Sequence, residues 1–127
     1  MRWNSPDFGL VFPNTFIPVA EASDQIVDLG NVVLRKSIEQ VAAWEGLLAK
    51  DFVMSINLSS KHLREERLLP LLEKLIQEHG VDPARLEFEI TESSIIENLE
   101  ETLLVLQQLR SLGSTVSIDD FGTGYSN

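Results

Sequence analysis

Three short apolar runs carry the residues that could do chemistry. Each has an oxygen-bearing side chain at or just past its end: Asn57 after Phe52 to Ile56, Glu89 within Leu86 to Ile90, and Asp119 after Thr115 to Ile118. Side chains two apart share a face of a strand. Met54 and Ile56 thus oppose Ser55 and Asn57, Phe88 and Ile90 oppose Glu87 and Glu89, and Val116 and Ile118 oppose Ser117 and Asp119. The three end residues recur at separations of 32 and 30, about one βα unit each. Adjacent parallel strands bring such ends together, and this is where α/β barrels place their chemistry. No Lys or Arg occupies an equivalent strand position. Unpaired buried carboxylates cost several kcal/mol or become protonated. A divalent cation with oxygen ligands removes that cost. The competing reading is a wet strand end whose acids favour the N-termini of the following helices.

Asp119 and Asp120 are adjacent, so in a regular strand they point to opposite faces. The loop Phe121-Gly122-Thr123-Gly124 permits a turn, because glycine accepts positive φ. Two Asp side chains there could hold two cations, as phosphoester chemistry often requires; an ordinary strand-to-helix turn is the alternative. Arg2 could grip a phosphate bidentately or simply lie on the surface. His62 and His79 are isolated and are expected on the surface, and Trp44 is expected in the core.

The elements that must position these residues alternate. Residues 1–19 read as irregular, with Pro13 and Pro18 as punctuation. A helix fits from Asp24 to Leu48 on the spacing of Val33, Ile38, Val41, Trp44 and Leu48. A second is expected to start near Pro70 and stop at Gly80. A third opens at Asn98, where Glu101 three residues on suggests a capping box, and stops at Gly113. The order α, β, α, β, α, β favours a parallel sheet with right-handed crossovers.

Composition narrows the partners. The chain has 127 residues, no cysteine and a net charge of −10. One compact domain is the default at this length. Duplex DNA or RNA and anionic membranes are poor partners for so acidic a chain. No stretch approaches the roughly 20 apolar residues of a membrane helix. Any metal must be held by oxygen or by the two histidines, which suits Mg²⁺ or Mn²⁺ better than zinc.

Taken together, the motifs resemble the EAL-type cyclic di-GMP phosphodiesterases. Met1-Arg2-Trp3 is similar to the residues directly after the Glu-Ala-Leu signature, and the block Pro13 to Glu21 resembles the next family segment. Asn57-Leu58-Ser59, Glu89-Ile90-Thr91-Glu92 and Asp119 to Ser126 match three further family segments in order and spacing. The resemblance implies a partial TIM-like (β/α) barrel, with about three parallel strands alternating with helices. It implies hydrolysis of cyclic di-GMP to linear pGpG with Mg²⁺ or Mn²⁺. Asn57, Glu89 and Asp119 would be metal ligands, Asp120 would serve a second metal, Glu92 would anchor the glycine loop and Arg2 would contact substrate phosphate.

The resemblance spans residues 1–127 but about half of the family's domain. The signature glutamate would precede Met1, and a lysine and a later glutamate would lie beyond Asn127. The 127 residues alone are therefore expected to be inactive and to self-associate, for instance as a homodimer, through unpaired sheet edges. A cytoplasmic location without direct membrane contact is expected. The alternatives are a non-catalytic cyclic di-GMP receptor or interaction module, and an acidic α/β domain without a ligand.

Overall fold

The computed structural model describes residues 1–119. Its centre is a parallel sheet of β3 (Met54–Asn57), β4 (Leu86–Thr91) and β5 (Thr115–Asp119) in the order β3-β4-β5, preceded by a separate hairpin of β1 (Trp3–Ser5) and β2 (Gly9–Val11). The helices are α1 (Pro13–Ala22), α2 (Gln25–Ala43), α3 (Ser60–Leu63), α4 (Leu68–His79), α5 (Glu92–Glu97) and α6 (Leu99–Leu112). The expected parallel pairing is present, with Met54 opposite Leu86 and Glu87 opposite Thr115.

Residues 1–19, expected to be irregular, instead form the hairpin and most of α1. Ser5 Oγ accepts from the backbone N–H groups of Asp7 and Phe8, and Gly9 takes φ +71°, which closes the hairpin. Pro13 stands in the first turn of α1, where its missing N–H costs nothing. Pro18 lies inside the same helix.

Helix α2 ends at Ala43, not Leu48. Trp44 is its C-cap, and Gly46 at φ +86° turns the chain away. Trp44 therefore leaves the core: it is 39% exposed and meets Phe52 edge-on at 6.2 Å between ring centroids. Helix α4 starts at Leu68, near Pro70 as expected, and Pro70 sits in its first turn. Gly80 ends it in the left-handed region, with its N–H on the Ile76 carbonyl. Asn98 precedes α6 without a side-chain cap, so the expected capping box is absent. The short helices α3 and α5 are capped by hydroxyls, with Ser59 accepting from His62 N and Thr91 from Ser94 N.

The core lies on one side of the sheet. Ile56, Phe88 and Ile90 are buried there with Leu34, Ile38, Leu72, Leu75 and Leu109. Phe88, central in the sheet, has no exposed surface. Ile118, expected on this apolar face, is 42% exposed; β5 has a pairing neighbour on one side among the described residues, and Val116 is its packed residue. No helix among the described residues is long and apolar enough to cross a membrane.

Candidate functional site on the polar sheet face

The face opposite the core is built in rows. Ser55, Glu87 and Thr115 form one, Asn57, Glu89 and Ser117 the next, and Thr91 stands opposite Asp119 beyond them. Asn57 and Glu89 are therefore direct cross-strand neighbours. Asp119 shares their face but lies one row on, about 7 Å further along the strand direction at two residues of rise. The backbone extends the pairing past Asn57, since Leu58 N donates to the Glu89 carbonyl at 2.9 Å.

Glu87 joins this face in a way that strand-end residues alone do not reveal. Its Oε1 accepts from Ser55 Oγ at 3.0 Å and Ser117 Oγ at 3.4 Å, so one carboxylate ties the central strand to both neighbours. The parity that places Glu89 also places Ser55, Glu87 and Ser117 together, so the sequence held the signal for this clasp.

His62 is not a surface residue. It is 1% exposed, and its Nε2 donates to Asn31 Oδ1 at 2.8 Å. Burial pushes its pKa below the ordinary value, opposed by the nearby Glu65 charge. The Ser59 cap turns the ring inward onto Gly30 of α2, where there is no side chain to block it. A glycine inside a helical run was the sequence signal for such an approach. His79 is half-buried in the last turn of α4.

Arg2 belongs to the N-terminal region. Its Nη1 donates to the Met1 carbonyl at 2.8 Å, and the guanidinium stands 4.8 Å from the Phe12 ring centroid. It lines a cleft of about 870 Å³ with Trp3, Phe8, Phe16, Leu29 and Val32. Glu92 is half-buried and opens α5. Asp120, Phe121, Gly122, Thr123 and Gly124 lie outside the described residues.

The donors on the polar face are hard oxygens, the type that Mg²⁺ and Mn²⁺ prefer. The candidate ligands among them, Glu89, Asp119 and Asn57, are two carboxylates and an amide, while the Glu87 carboxylate is engaged by Ser55 and Ser117. Among the described residues no group of three or more His, Asp and Glu is assembled. The ion pairs Lys61–Asp24, Arg64–Glu97 and Lys74–Glu78 involve neither Glu87 nor Glu89. The residues present therefore fit part of a divalent-cation site.

A parallel α/β sheet with helices on one face and polar strand ends on the other is a sector of a TIM-like barrel. The chain belongs to the EAL domain family, whose profile matches residues 1–127. It is 40% identical over 129 residues to the cyclic di-GMP phosphodiesterase PdeR of Escherichia coli (strain K12), covering 100% of this chain and 19% of that protein. It is 35% identical to the bifunctional diguanylate cyclase/cyclic di-GMP phosphodiesterase MucR of Pseudomonas aeruginosa, covering 100% of this chain and 18% of that protein. The solved structure described as PaMucR phosphodiesterase, c-di-GMP complex, superposes with a TM-score of 0.90 at 35% identity, over 99% of this chain and 51% of that one. The EAL enzyme Bd1971, in a form with cAMP and cyclic di-GMP bound, gives 0.89 at 34% identity, over 98% and 35%. The chain thus spans less than a fifth of these curated relatives and at most about half of these solved chains.

Proposed function

We propose that this chain forms part of an EAL domain that hydrolyses cyclic di-GMP to linear pGpG in bacterial signalling. The observation that carries this reading is the polar sheet face, where Asn57 and Glu89 stand opposite each other and Asp119 follows one row on. Asn57, Glu89 and Asp119 would hold a divalent cation, Mg²⁺ or Mn²⁺, and Asp120 a second one. Such cations, when bound, stabilise phosphoryl oxygens and make water a better nucleophile at neutral pH. The protein's own contribution is placement. The Glu87 clasp fixes the spacing of the three strands, and Phe88 and Ile90 anchor the central one from the core. Arg2 would meet a phosphate of the substrate, and Glu92 would anchor the loop from Phe121 to Gly124. A cytoplasmic location belongs to the same reading. The outer strands β3 and β5 are where a second copy would add to the sheet.

The test is titration with Mn²⁺, with and without cyclic di-GMP, followed by assay for pGpG. Cation-dependent nucleotide binding that Asp119→Asn and Glu89→Gln weaken supports the reading. Nucleotide binding that ignores both substitutions points instead to a non-catalytic receptor. Absence of cation and nucleotide binding in a protein extended on both sides overturns it.

A further inference from the structure

We propose that His62 is a positioning residue: its ring, seated on Gly30 and hydrogen-bonded to Asn31, latches the turn after β3 to α2 and thereby fixes Asn57 against Glu89. The role assigned to Asn57 rests on the cation-binding reading above; the latch itself rests on geometry alone.

The segment that needs a latch is short. Between Asn57 and α3 stand only Leu58 and Ser59, and α3 is four residues long. A single helical turn is not stable by itself, because nucleation fixes several residues for one hydrogen bond. Its position must come from the groups it touches. Ser59 Oγ accepts from His62 N at 3.1 Å, so the ring and the cap belong to one turn. Leu58 and Leu63 are buried on either side of that turn. His62 Nε2 donates to Asn31 Oδ1 at 2.8 Å, a partner 31 residues earlier in the chain.

Gly30 supplies the independent observation. It lies inside α2 without a left-handed φ, so its backbone does not require glycine. Glycine in a helix interior is unfavourable relative to alanine. A Cβ at this position would stand 2.5 Å from His62 Nδ1 and 2.7 Å from Cε1. The ring occupies the space a side chain would need, so the contact accounts for the glycine. Two exposed charge pairs flank the latch. Lys61 Nζ donates to Asp24 Oδ1 at 2.7 Å, and Arg64 Nη2 pairs with Glu97 Oε2 at 3.1 Å. The second reaches α5, which directly follows the strand that carries Glu89. Exposed pairs of this kind hold little on their own. The buried ring and Leu63 are the parts of α3 that can resist displacement, and of the two only the ring makes a directional bond to α2.

The experiment reads Asn57 directly and the cation separately. In the 127-residue chain, the Asn57 side-chain amide resonances are followed by NMR, and Mn²⁺ affinity by calorimetry. His62→Ala is expected to shift or broaden the Asn57 amide signals, to speed amide exchange over residues 58–63, and to weaken Mn²⁺ about tenfold, the lower end of the contribution that orienting groups around metals make. His62→Gln keeps a neutral donor for Asn31 and should restore all three. Gly30→Ala, which pushes from the opposite side, should reproduce the loss, and the double variant with His62→Ala should lose no more than either alone. If His62→Ala does not fold, Gly30→Ala against His62→Gln carries the test. Unmoved Asn57 resonances in Gly30→Ala or His62→Ala, or failure of His62→Gln to rescue, overturns the latch. If the 127-residue parent binds no Mn²⁺, the cation reading is decided in the protein extended on both sides, and the Asn57 resonances and amide exchange still decide the latch.

Discussion

The N-terminal region and the sheet region bury their apolar residues very differently. In the hairpin and α1, Ser5 and Ala20 are the buried residues, while Trp3, Phe8, Leu10, Phe12 and Val19 are each 46% or more exposed. In the sheet, Ile56, Leu86, Phe88 and Ile90 are each 2% exposed or less. The candidate site draws on both regions. Asn57, Glu89 and Asp119 ride on strands clamped by the core. Arg2 rides on a hairpin whose ties are mostly local: the Ser5 turn, a stack of Arg2 on Phe12 and an edge contact of Trp3 with Phe16. Local opening free energy follows such burial. The strands that carry the proposed cation ligands are therefore built to be rigid, and the hairpin next to Arg2, the proposed phosphate contact, to move at lower cost.

The largest expected effect would break this contrast at its strong end. Phe88→Ala should cost about 3–5 kcal/mol, as for other fully buried aromatics, and unfold the chain cooperatively. Phe8→Ala, at a site 79% exposed, should change stability by less than about 0.5 kcal/mol. Urea midpoints compare the two directly, and similar losses would mean that the regions are not differently built.

The next effect separates function from stability. Glu89→Gln should reduce Mn²⁺ affinity at least about tenfold and leave the melting temperature of the cation-free chain nearly unchanged. Arg2→Ala should leave Mn²⁺ affinity intact and lower affinity for cyclic di-GMP. Calorimetry with each ligand in turn checks both.

A smaller effect depends on pH. Burial holds His62 below its ordinary pKa of 6.5, so the unfolded chain takes up a proton before the folded one does. Its contribution to stability is complete above pH 6.5 and is lost as the pH falls from there through the folded value. His62→Gln should remove that part of the slope when urea midpoints are measured on both sides of pH 6.5. An unchanged slope would show that His62 is not the titrating group.

The smallest effect is expected at Lys61. Its ammonium holds the Asp24 carboxyl below the usual range, but Asp24 is fully exposed. Lys61→Ala should not shift the urea midpoint measurably in physiological salt. A clear loss would show that the contact with the Glu21 carbonyl and Asp24 anchors α3 more firmly than an exposed pair should.

The sheet was legible because its strands alternate, and alternation alone separated the face of Phe88 from that of Glu89. The hairpin was not, because three-residue strands are too short to show a period. Helix α1 was hidden by Pro13 and Pro18, which read as breaks although the first fits an opening turn. Trp44 matched the helical spacing of α2, but the chain turns away at Gly46 before that spacing can place it inside. At the site, strand parity put Asn57, Glu89 and Asp119 on one face, but the row offset of Asp119 needed the register. For His62, Gly30 inside a helical run signalled a close approach, but which side chain fills that space needed the tertiary structure.

The crossovers between these strands also govern how the polar face is assembled in time. Met54 pairs with Leu86 and Glu87 with Thr115, so each rung joins residues about 30 apart. Closing a flexible loop of that length costs roughly 3 kcal/mol of chain entropy before any contact offsets it. Helices such as α2 and α4 are local and can form within about a microsecond, whereas non-local parallel pairing is slow. Folding kinetics should therefore show helical signal well before Asn57 meets Glu89, with Asp119, at the far end of the last of these three strands to leave the ribosome, joining them after that.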